Sequence, residues 1–229
     1  MTNLECLATG STGNCYILKV GSFQVILDAG CDFKKLTSKV NLNDVDFAFI
    51  SHEHQDHSKH LKDLLLRGVK CIDGITNQET IKNEFKSKFG GFSQVLRIPI
   101  KHGKCNNSAL IIKTDDEMVL YATDFTHSDY DLSKFKFTHI IVECNYVESM
   151  VADTTDIKVK RQINTHMGLE GLKIFLDKLD LSKCKEIDLI HMSQGFGNHI
   201  LMGSSIYSRY HIKTGVCKQY GGIDFYGWK

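Results

Sequence analysis

The sequence predicts an α/β fold, and three observations favour it. Apolar segments of strand length alternate with segments of helical period. No internal repeat, low-complexity tract or proline-rich linker interrupts the chain. Of its 229 residues, 42% are hydrophobic and 24% charged, a mixture typical of a globular protein with a sizeable core. We therefore expect a single domain over residues 1–229.

The predicted strands are short apolar runs bounded by turn residues. Two of them, residues 15–20 and 23–27, are separated by Gly21-Ser22, which is typical of a β-hairpin. Two others, residues 109–113 and 118–122, pair through Asp115-Asp116. The remaining predicted strands are residues 4–8, 47–51, 94–100, 139–142 and 187–190.

Three helices are predicted from apolar faces with a helical period. Their core-facing residues are Leu61, Leu64 and Leu65 in the first, Ile81, Phe85 and Phe89 in the second, and Leu169, Leu172, Phe175, Leu176 and Leu179 in the third. A capping box, Thr76-x-x-Glu79, starts the second helix. The segment 215–229 fits neither period and is left unassigned.

Charge and cysteine content limit the classes of partner. The formal net charge is +1, so an anionic partner must be bound by a local basic patch. No apolar run approaches the ~20 residues of a membrane span, and no secretory signal is recognisable, so we expect a cytoplasmic protein without membrane contact. Eight dispersed cysteines without a CxxC pair predict reduced, mostly buried thiols.

Four predicted strands are followed by a residue able to bind a metal. These residues are His52, His102, Asp124 and His191. Side chains at strand ends can converge because the sheet is rigid and the loops beyond it are free to approach one another. This pattern predicts a metal or catalytic site at one edge of the sheets.

The sharpest local signal is the HxHxDH run from His52 to His57. In an extended segment, His52 and His54 point to the same side and can chelate one ion, while Asp56 and His57 address a neighbouring position. Imidazole and carboxylate ligands suit zinc or another borderline divalent metal. The alternative is a polar loop at a helix start that happens to be rich in histidine.

These motifs resemble those of the metallo-β-lactamase-fold hydrolases. The resemblance implies an αββα sandwich, with two mixed β-sheets and outer helices, and no inserted β-CASP domain. It also implies two divalent ions, zinc with manganese or iron as options. The implied ligands are His52, His54 and His102 for one ion, Asp56, His57 and His191 for the other, with Asp124 bridging and Asp28 bracing the metal loop.

Further stretches resemble the small WalJ-type exonuclease branch of that family. They are Thr9 to Cys15, Glu143 to Tyr146, the basic stretch Lys158 to Arg161, and Asn164 to Met167. The sequence departs from that branch at Tyr146, where a histidine is usual, at Asn164-Thr165, and after Ser193.

The resemblance implies hydrolysis of a phosphodiester in a nucleic acid or nucleotide, through a hydroxide that bridges the two metals. Asp56 would orient this nucleophile, and His166 would bind phosphate or protonate the leaving oxygen. Lys158, Lys160 and Arg161 would hold the substrate backbone, although the same stretch also fits a solvated edge strand. The favoured function is exonuclease activity.

Other functions remain open at this stage. A cyclic-nucleotide or other small-molecule phosphodiesterase fits the near-neutral charge and the missing second domain. Thioester hydrolysis of the glyoxalase II kind uses a similar ligand set. A non-catalytic binding module is a further alternative function. A homodimer is an option for the oligomeric state.

Overall fold

The computed structural model describes residues 2–73 and 94–227. The predicted helix with Ile81, Phe85 and Phe89, and its capping box, lie outside the described residues. The strands are β1 (Asn3–Ala8), β2 (Cys15–Val20), β3 (Phe23–Leu27), β4 (Phe47–Phe49), β5 (Cys71–Ile72), β6 (Gln94–His102), β7 (Cys105–Lys113), β8 (Met118–Ala122), β9 (His139–Glu143), β10 (Glu186–Ile190), β11 (Lys213–Cys217) and β12 (Ile223–Tyr226). The helices are α1 (Phe33–Lys39), α2 (Gln55–Ser58), α3 (Leu61–Leu66), α4 (Glu148–Val151), α5 (Ile157–Thr165), α6 (Leu169–Leu176) and α7 (His199–Tyr210), with a 3-10 turn at Leu42–Asp44.

The strands form two mixed β-sheets. The first has the order β1-β2-β3-β4-β5 and the second the order β12-β11-β10-β9-β8-β7-β6. In the first, β3, β4 and β5 are parallel. In the second, β8, β9, β10 and β11 are parallel. The carboxyl ends of the parallel strands in each sheet therefore meet at one edge.

The two sheets pack face to face and helices cover their outer sides. Alternation along β7 shows the arrangement, since Leu110 and Ile112 pack between the sheets while Ile111 faces the helices. The layer outside the second sheet includes residues of α6 and α7. The layer outside the first sheet includes Leu36 of α1 and Leu64 of α3. This is the predicted αββα sandwich.

Several observed elements have no counterpart among the predicted ones, for physical reasons. Helix α1 buries only Leu36, and strand β5 has two residues, so neither has a recognisable period. Helix α7 has the weak pattern Gly203-Ser204-Ser205, in which Gly203 leaves room for the ring of Tyr226. The basic stretch from Lys158 to Arg161 is part of helix α5, which corrects the edge-strand alternative.

The unassigned segment 215–229 contains the end of β11 and the whole of β12, which pairs antiparallel with β11. Strand β12 is only partly buried, which is why its pattern is not recognisable in the sequence. Pro99 lies in β6, the edge strand of the second sheet, where a missing backbone N–H costs no ladder hydrogen bond. All eight cysteines are described and none forms a disulfide.

Candidate metal centre

The histidine-rich motif lies between the end of β4 and helix α2. His54 has an extended backbone (φ −61°, ψ 144°) and is the residue before α2. Asp56 and His57 belong to the first turn of that helix. The motif is thus extended at His54 and then turns into α2, as the sequence predicts.

Asp124 lies between two groups of histidines. Its Oδ2 atom is 3.7 Å from Nε2 of His52 and 3.7 Å from Nε2 of His102. Its Oδ1 atom is 3.4 Å from Nε2 of His57 and 3.2 Å from Nδ1 of His191. Each oxygen of one buried carboxylate therefore faces a different set of imidazoles.

The first set of ligand atoms includes the two histidines two residues apart. Nδ1 of His54 lies 2.9 Å from Nε2 of His52. Together with His102 and Asp124, these residues offer four donor atoms that all lie within 4.8 Å of one another. A group of this size can close around one ion.

The second set contains Asp56, His57 and His191. Oδ2 of Asp56 is 3.3 Å from Nε2 of His57 and 3.6 Å from Nε2 of His191. These donor atoms also lie within 4.8 Å of one another. All seven residues predicted as ligands are thus gathered at the carboxyl edge of the sheets.

In the three histidines of the first set, the other ring nitrogen has a partner that fixes the ring. Nδ1 of His102 lies 2.9 Å from the carbonyl oxygen of Thr165, at the end of α5. Nδ1 of His52 lies 3.0 Å from Oγ of Ser51, and Nε2 of His54 lies 3.1 Å from Sγ of Cys105. Partners of this kind select the tautomer and turn the remaining nitrogen towards the centre.

Asp28 supports the histidine-rich motif through its contacts with His57, Tyr121 and Ser51. Its Oδ2 atom is 2.6 Å from Nδ1 of His57 and accepts a 2.6 Å hydrogen bond from the hydroxyl of Tyr121. The backbone N–H and the hydroxyl of Ser51 donate to the same carboxylate at 2.7 and 3.1 Å. Asp28 therefore connects the first sheet, the metal loop and strand β8.

Glu143, which belongs to the Glu143–Tyr146 motif but has no predicted role, lies in the site. Its buried Oε1 atom is 2.9 Å from Nδ1 of His191 and 2.6 Å from Nδ1 of His166. Its Oε2 atom accepts hydrogen bonds from the backbone N–H of Phe125 and of Met167. The available signal was an acidic residue directly after the apolar run of β9.

Asn14 and Gly30 support the turn at Asp56. Neither residue has a role predicted from the sequence, although Asn14 lies within the Thr9 to Cys15 stretch. The Asn14 amide nitrogen lies 3.0 Å from Nε2 of His57, and its backbone N–H donates to the Asp56 carbonyl at 2.7 Å. A Cβ on Gly30 would overlap that same carbonyl, so only glycine permits this approach.

Backbone strain is concentrated at this edge. Asp28, Asp124 and His191 have positive φ values of 57°, 51° and 54°. Each residue follows a strand end, and a left-handed backbone costs a non-glycine residue on the order of 1 kcal/mol. This strained backbone occurs where the chain must turn to direct the side chain of Asp28, Asp124 or His191 towards the centre.

The protonation states of the centre differ between the two sets of ligand atoms. Burial, followed by the facing charge of His57, lowers the pKa of His52 to about 3, so that imidazole is neutral. Burial by itself raises the pKa of Asp124, but the facing His191 and His57 lower it well below its usual value. A neutral imidazole and an ionised carboxylate are the forms that bind metals. Although burial favours neutral rings, Asp124 and the neighbouring carboxylates raise the pKa of His57 well above its usual value and that of His191 to about 10, so metal binding to the second set would displace their protons.

The donor set and one orphaned atom fit a divalent metal. Nε2 of His191 is buried and has no hydrogen-bond partner among residues 2–73 and 94–227. A buried polar atom without a partner is costly unless a ligand satisfies it. The other donors are imidazole nitrogens and carboxylate oxygens, which zinc, manganese and iron accept.

The centre opens into a pocket of about 630 Å³, here called the metal pocket. Lys158, Arg161, Gln162 and Thr165 line it, since their spacing places them on one face of α5. Lys160 is exposed on another face of the helix and is not among the lining residues. Lys104, from the turn between β6 and β7, adds a cation that the sequence analysis did not identify.

His166 lines the same pocket, next to the ligand histidines. Its ring stacks on that of His191 with centroids 5.1 Å apart. Burial lowers its pKa, but the Glu143 carboxylate and its hydrogen bond outweigh burial and raise the pKa above the usual value. The Glu143 carboxylate therefore favours the charged form of the ring, with Nδ1 bound to Glu143.

Comparison with known proteins agrees with this architecture. Residues 8–118 match the family model of the metallo-β-lactamase superfamily. The structure of YhfI from Bacillus subtilis superposes with a TM-score of 0.68 at 17% identity, covering 97% of this chain and 99% of that one. The chain is a metallo-β-lactamase-fold protein. Human short-form tRNase Z shares the fold, with a TM-score of 0.63 at 13% identity and coverage of 96% and 97%.

A closer sequence likeness covers part of this metallo-β-lactamase-fold protein. Exodeoxyribonuclease WalJ from two strains of Streptococcus pneumoniae is 41% identical over 90 residues. This stretch covers 37% of the chain and 33% of each relative. The chain thus spans about a third of the length of the curated relatives it matches.

Histidines outside the centre have other surroundings. Nδ1 of His60 lies 2.8 Å from Oδ2 of Asp63, and its ring packs against Phe33. His139 is buried beside Glu117, and His211 ends α7. Among the described residues of this metallo-β-lactamase-fold protein, no helix is both long and apolar enough to cross a membrane.

Proposed function

We propose that this protein is a metal-dependent phosphodiesterase that hydrolyses nucleic acid, with exonuclease action as the specific reaction. One observation carries the proposal: the two oxygens of Asp124 each face a separate group of ligand atoms. His52, His54 and His102 would hold one divalent ion. Asp56, His57 and His191 would hold the other, with Asp124 shared between them.

The ions, zinc in our proposal, would lower the pKa of water and stabilise the negative charge that develops on phosphate oxygens. The chain's own groups would supply orientation. Oδ2 of Asp56 lies between His57 and His191, and the two imidazoles outweigh burial and lower its pKa. An ionised Asp56 accepts a hydrogen bond from the attacking water and fixes its direction.

His166 would give a proton to the leaving oxygen. Glu143 holds Nδ1 at 2.6 Å and favours the charged form of the ring, and His166 lines the metal pocket. A general acid needs its proton available at the working pH and a fixed orientation. The Glu143 contact provides both.

Helix α5 would bind the phosphate backbone through Lys158 and Arg161. Both side chains are exposed and line the metal pocket. Positive charge at this wall attracts a polyanion and positions it without reading its sequence. The likeness to WalJ supports a polymeric DNA substrate for the same pocket.

The test is hydrolysis by metal-loaded protein of bis-p-nitrophenyl phosphate, end-labelled DNA and RNA, and cyclic mononucleotides. The control is His54→Ala, which removes one ligand. Stepwise shortening of a labelled strand is the expected result. Cleavage confined to cyclic nucleotides would replace the exonuclease with a small-molecule phosphodiesterase, and no cleavage of any phosphodiester would overturn the proposal. Cytoplasmic location and a homodimer stay predictions.

A further inference from the structure

A second pocket adjoins the metal pocket at the turn between β6 and β7. It has a volume of about 710 Å³ and is called here the hairpin groove. The two pockets share His102, Gly103, Lys104 and Cys105, which form that turn. A chain leaving the metal centre can therefore pass over the turn into the hairpin groove without leaving the protein surface.

One wall of the hairpin groove is the edge strand β6. Ile98 and Ile100 are buried, so alternation turns Arg97, Pro99 and Lys101 to the opposite side, where they line the groove. Lys101 is exposed, and Lys104 continues the row of positive charges at the turn. Arg97 donates a 2.8 Å hydrogen bond to Oγ of Ser108, which fixes its position in the wall.

The other wall is the loop after Asp124. The backbone N–H of Lys101 donates to the His127 carbonyl at 3.1 Å, and that of Thr126 donates to the Lys101 carbonyl at 3.0 Å. These bonds attach the loop to the edge strand. Tyr130 lies further along the loop, is 45% exposed in the groove, and its ring stacks on Phe135 with centroids 6.3 Å apart. The ammonium of Lys134 lies 4.8 Å from the centre of the Tyr130 ring and adds positive charge.

We propose that the hairpin groove binds the single-stranded continuation of a polynucleotide whose scissile phosphate lies at the metal centre. Lys101 and Lys104 contact phosphates, and Tyr130 contacts an unstacked base. Cations that follow the backbone beside an aromatic ring are the combination that binds single strands without sequence preference. This inference rests on the proposed function, because it assigns that site a polymeric substrate.

The dimensions agree with this assignment. Arg97 and Lys101 are four residues apart in a strand, a distance of about 14 Å. At about 3.4 Å per nucleotide in a stacked strand, this wall spans roughly four nucleotides. A cyclic mononucleotide is too small to reach from the metal centre into the groove.

Removal of an acidic residue of the groove, Asp129, should change polynucleotide affinity in the opposite direction to removal of a lysine. Oδ2 of Asp129 lies 3.4 Å from Nζ of Lys101, and the two side chains are 72% and 57% exposed. A bound phosphate competes with this carboxylate for the lysine. Removing Asp129 should therefore strengthen binding, whereas removing Lys101 should weaken it.

The experiment measures binding by fluorescence anisotropy with metal-loaded protein. The probe is a fluorescein-labelled oligothymidylate of roughly a dozen nucleotides, with phosphorothioate linkages that resist hydrolysis. A labelled dinucleotide is the short control. For Lys101→Ala we expect the Kd of the long probe to rise severalfold and the salt slope to fall by about 0.7. Tyr130→Ala should raise the same Kd by about tenfold, and Asp129→Ala should lower it.

The matched controls lie away from the groove, in helix α1 and in strand β1 of the first sheet. Lys39 and Glu5 form an exposed ion pair of 3.6 Å, and Lys39→Ala and Glu5→Ala should leave both Kd values unchanged. The proposed role of the groove would be overturned by equal effects of Lys101→Ala and Lys39→Ala on the Kd of the long probe. Equal Kd values for the long and short probes would overturn it as well. Hydrolysis of bis-p-nitrophenyl phosphate tests the proposed function separately, since that substrate does not reach the groove. Activity there without length-dependent binding would overturn only this inference.

Discussion

A buried carboxyl group in β10 makes the stability of this protein depend on pH. Asp188 lies on the same side of the strand as Ile190, which packs between the sheets. Its Oδ1 atom has no hydrogen-bond partner within the described part of the chain. Burial, assisted by the charge of Glu186 and opposed by Lys213, raises the pKa of Asp188 to about 8. The folded protein therefore keeps this group protonated at neutral pH.

The sign and size of the effect follow from proton linkage. An unfolded aspartate has a pKa of about 3.9, so between about pH 4 and pH 8 only the folded state holds the proton. Stability contributed by this raised pKa is complete at low pH and is lost as pH rises, by up to about 1.4 kcal/mol per unit. From about pH 5 to about pH 7, the loss for a folded-state pKa of about 8 is roughly 3 kcal/mol.

Asp188→Asn removes the titrating group while keeping its shape. The difference in unfolding free energy between Asp188→Asn and wild type should shift by roughly 3 kcal/mol in favour of the variant over that pH interval. Urea unfolding of both proteins at equal metal content measures it. Asp116→Asn, in the exposed turn after β7, is the matched control and should show a nearly constant difference. A constant difference for Asp188→Asn as well would refute the reasoning.

Four further predictions concern the site. Asp124→Asn, which tolerates the positive φ, should lower metal affinity by more than about tenfold, and tight binding of two ions to that variant by equilibrium dialysis would contradict the bridging role. His166→Ala should retain metal and lose about 10²- to 10⁴-fold in turnover. An unchanged turnover rate would mean that His166 has only a structural role. Glu143→Gln should weaken metal binding about 10- to 100-fold, measured by chelator competition, and unaltered affinity would argue against its positioning role. Arg161→Ala should weaken binding of the oligothymidylate more at low salt than at high salt. Lys160→Ala, on another face of the helix, should have little effect on that binding. An equal loss of affinity in the two variants would contradict the proposed orientation of α5 towards the substrate.

The sequence by itself determined the local part of the site. In an extended segment, residues two apart share a side, so the spacing of His52 and His54 already predicts a shared ion. The short hairpin of β2 and β3 follows from adjacent apolar runs and a turn. The ends of the strands before His102, Asp124 and His191 were recognisable because each follows an apolar run.

Tertiary structure decided which distant groups meet. Tyr121 reaches Asp28 across 93 positions of sequence, and Glu143 meets His191 across 48. Lys104 enters the metal pocket although no motif marks it. These contacts depend on sheet order, register and loop path, which the periodicity of one segment does not specify. Local spacing acts through the backbone within a few residues, whereas the electrostatics of the centre come from strands that only folding brings together.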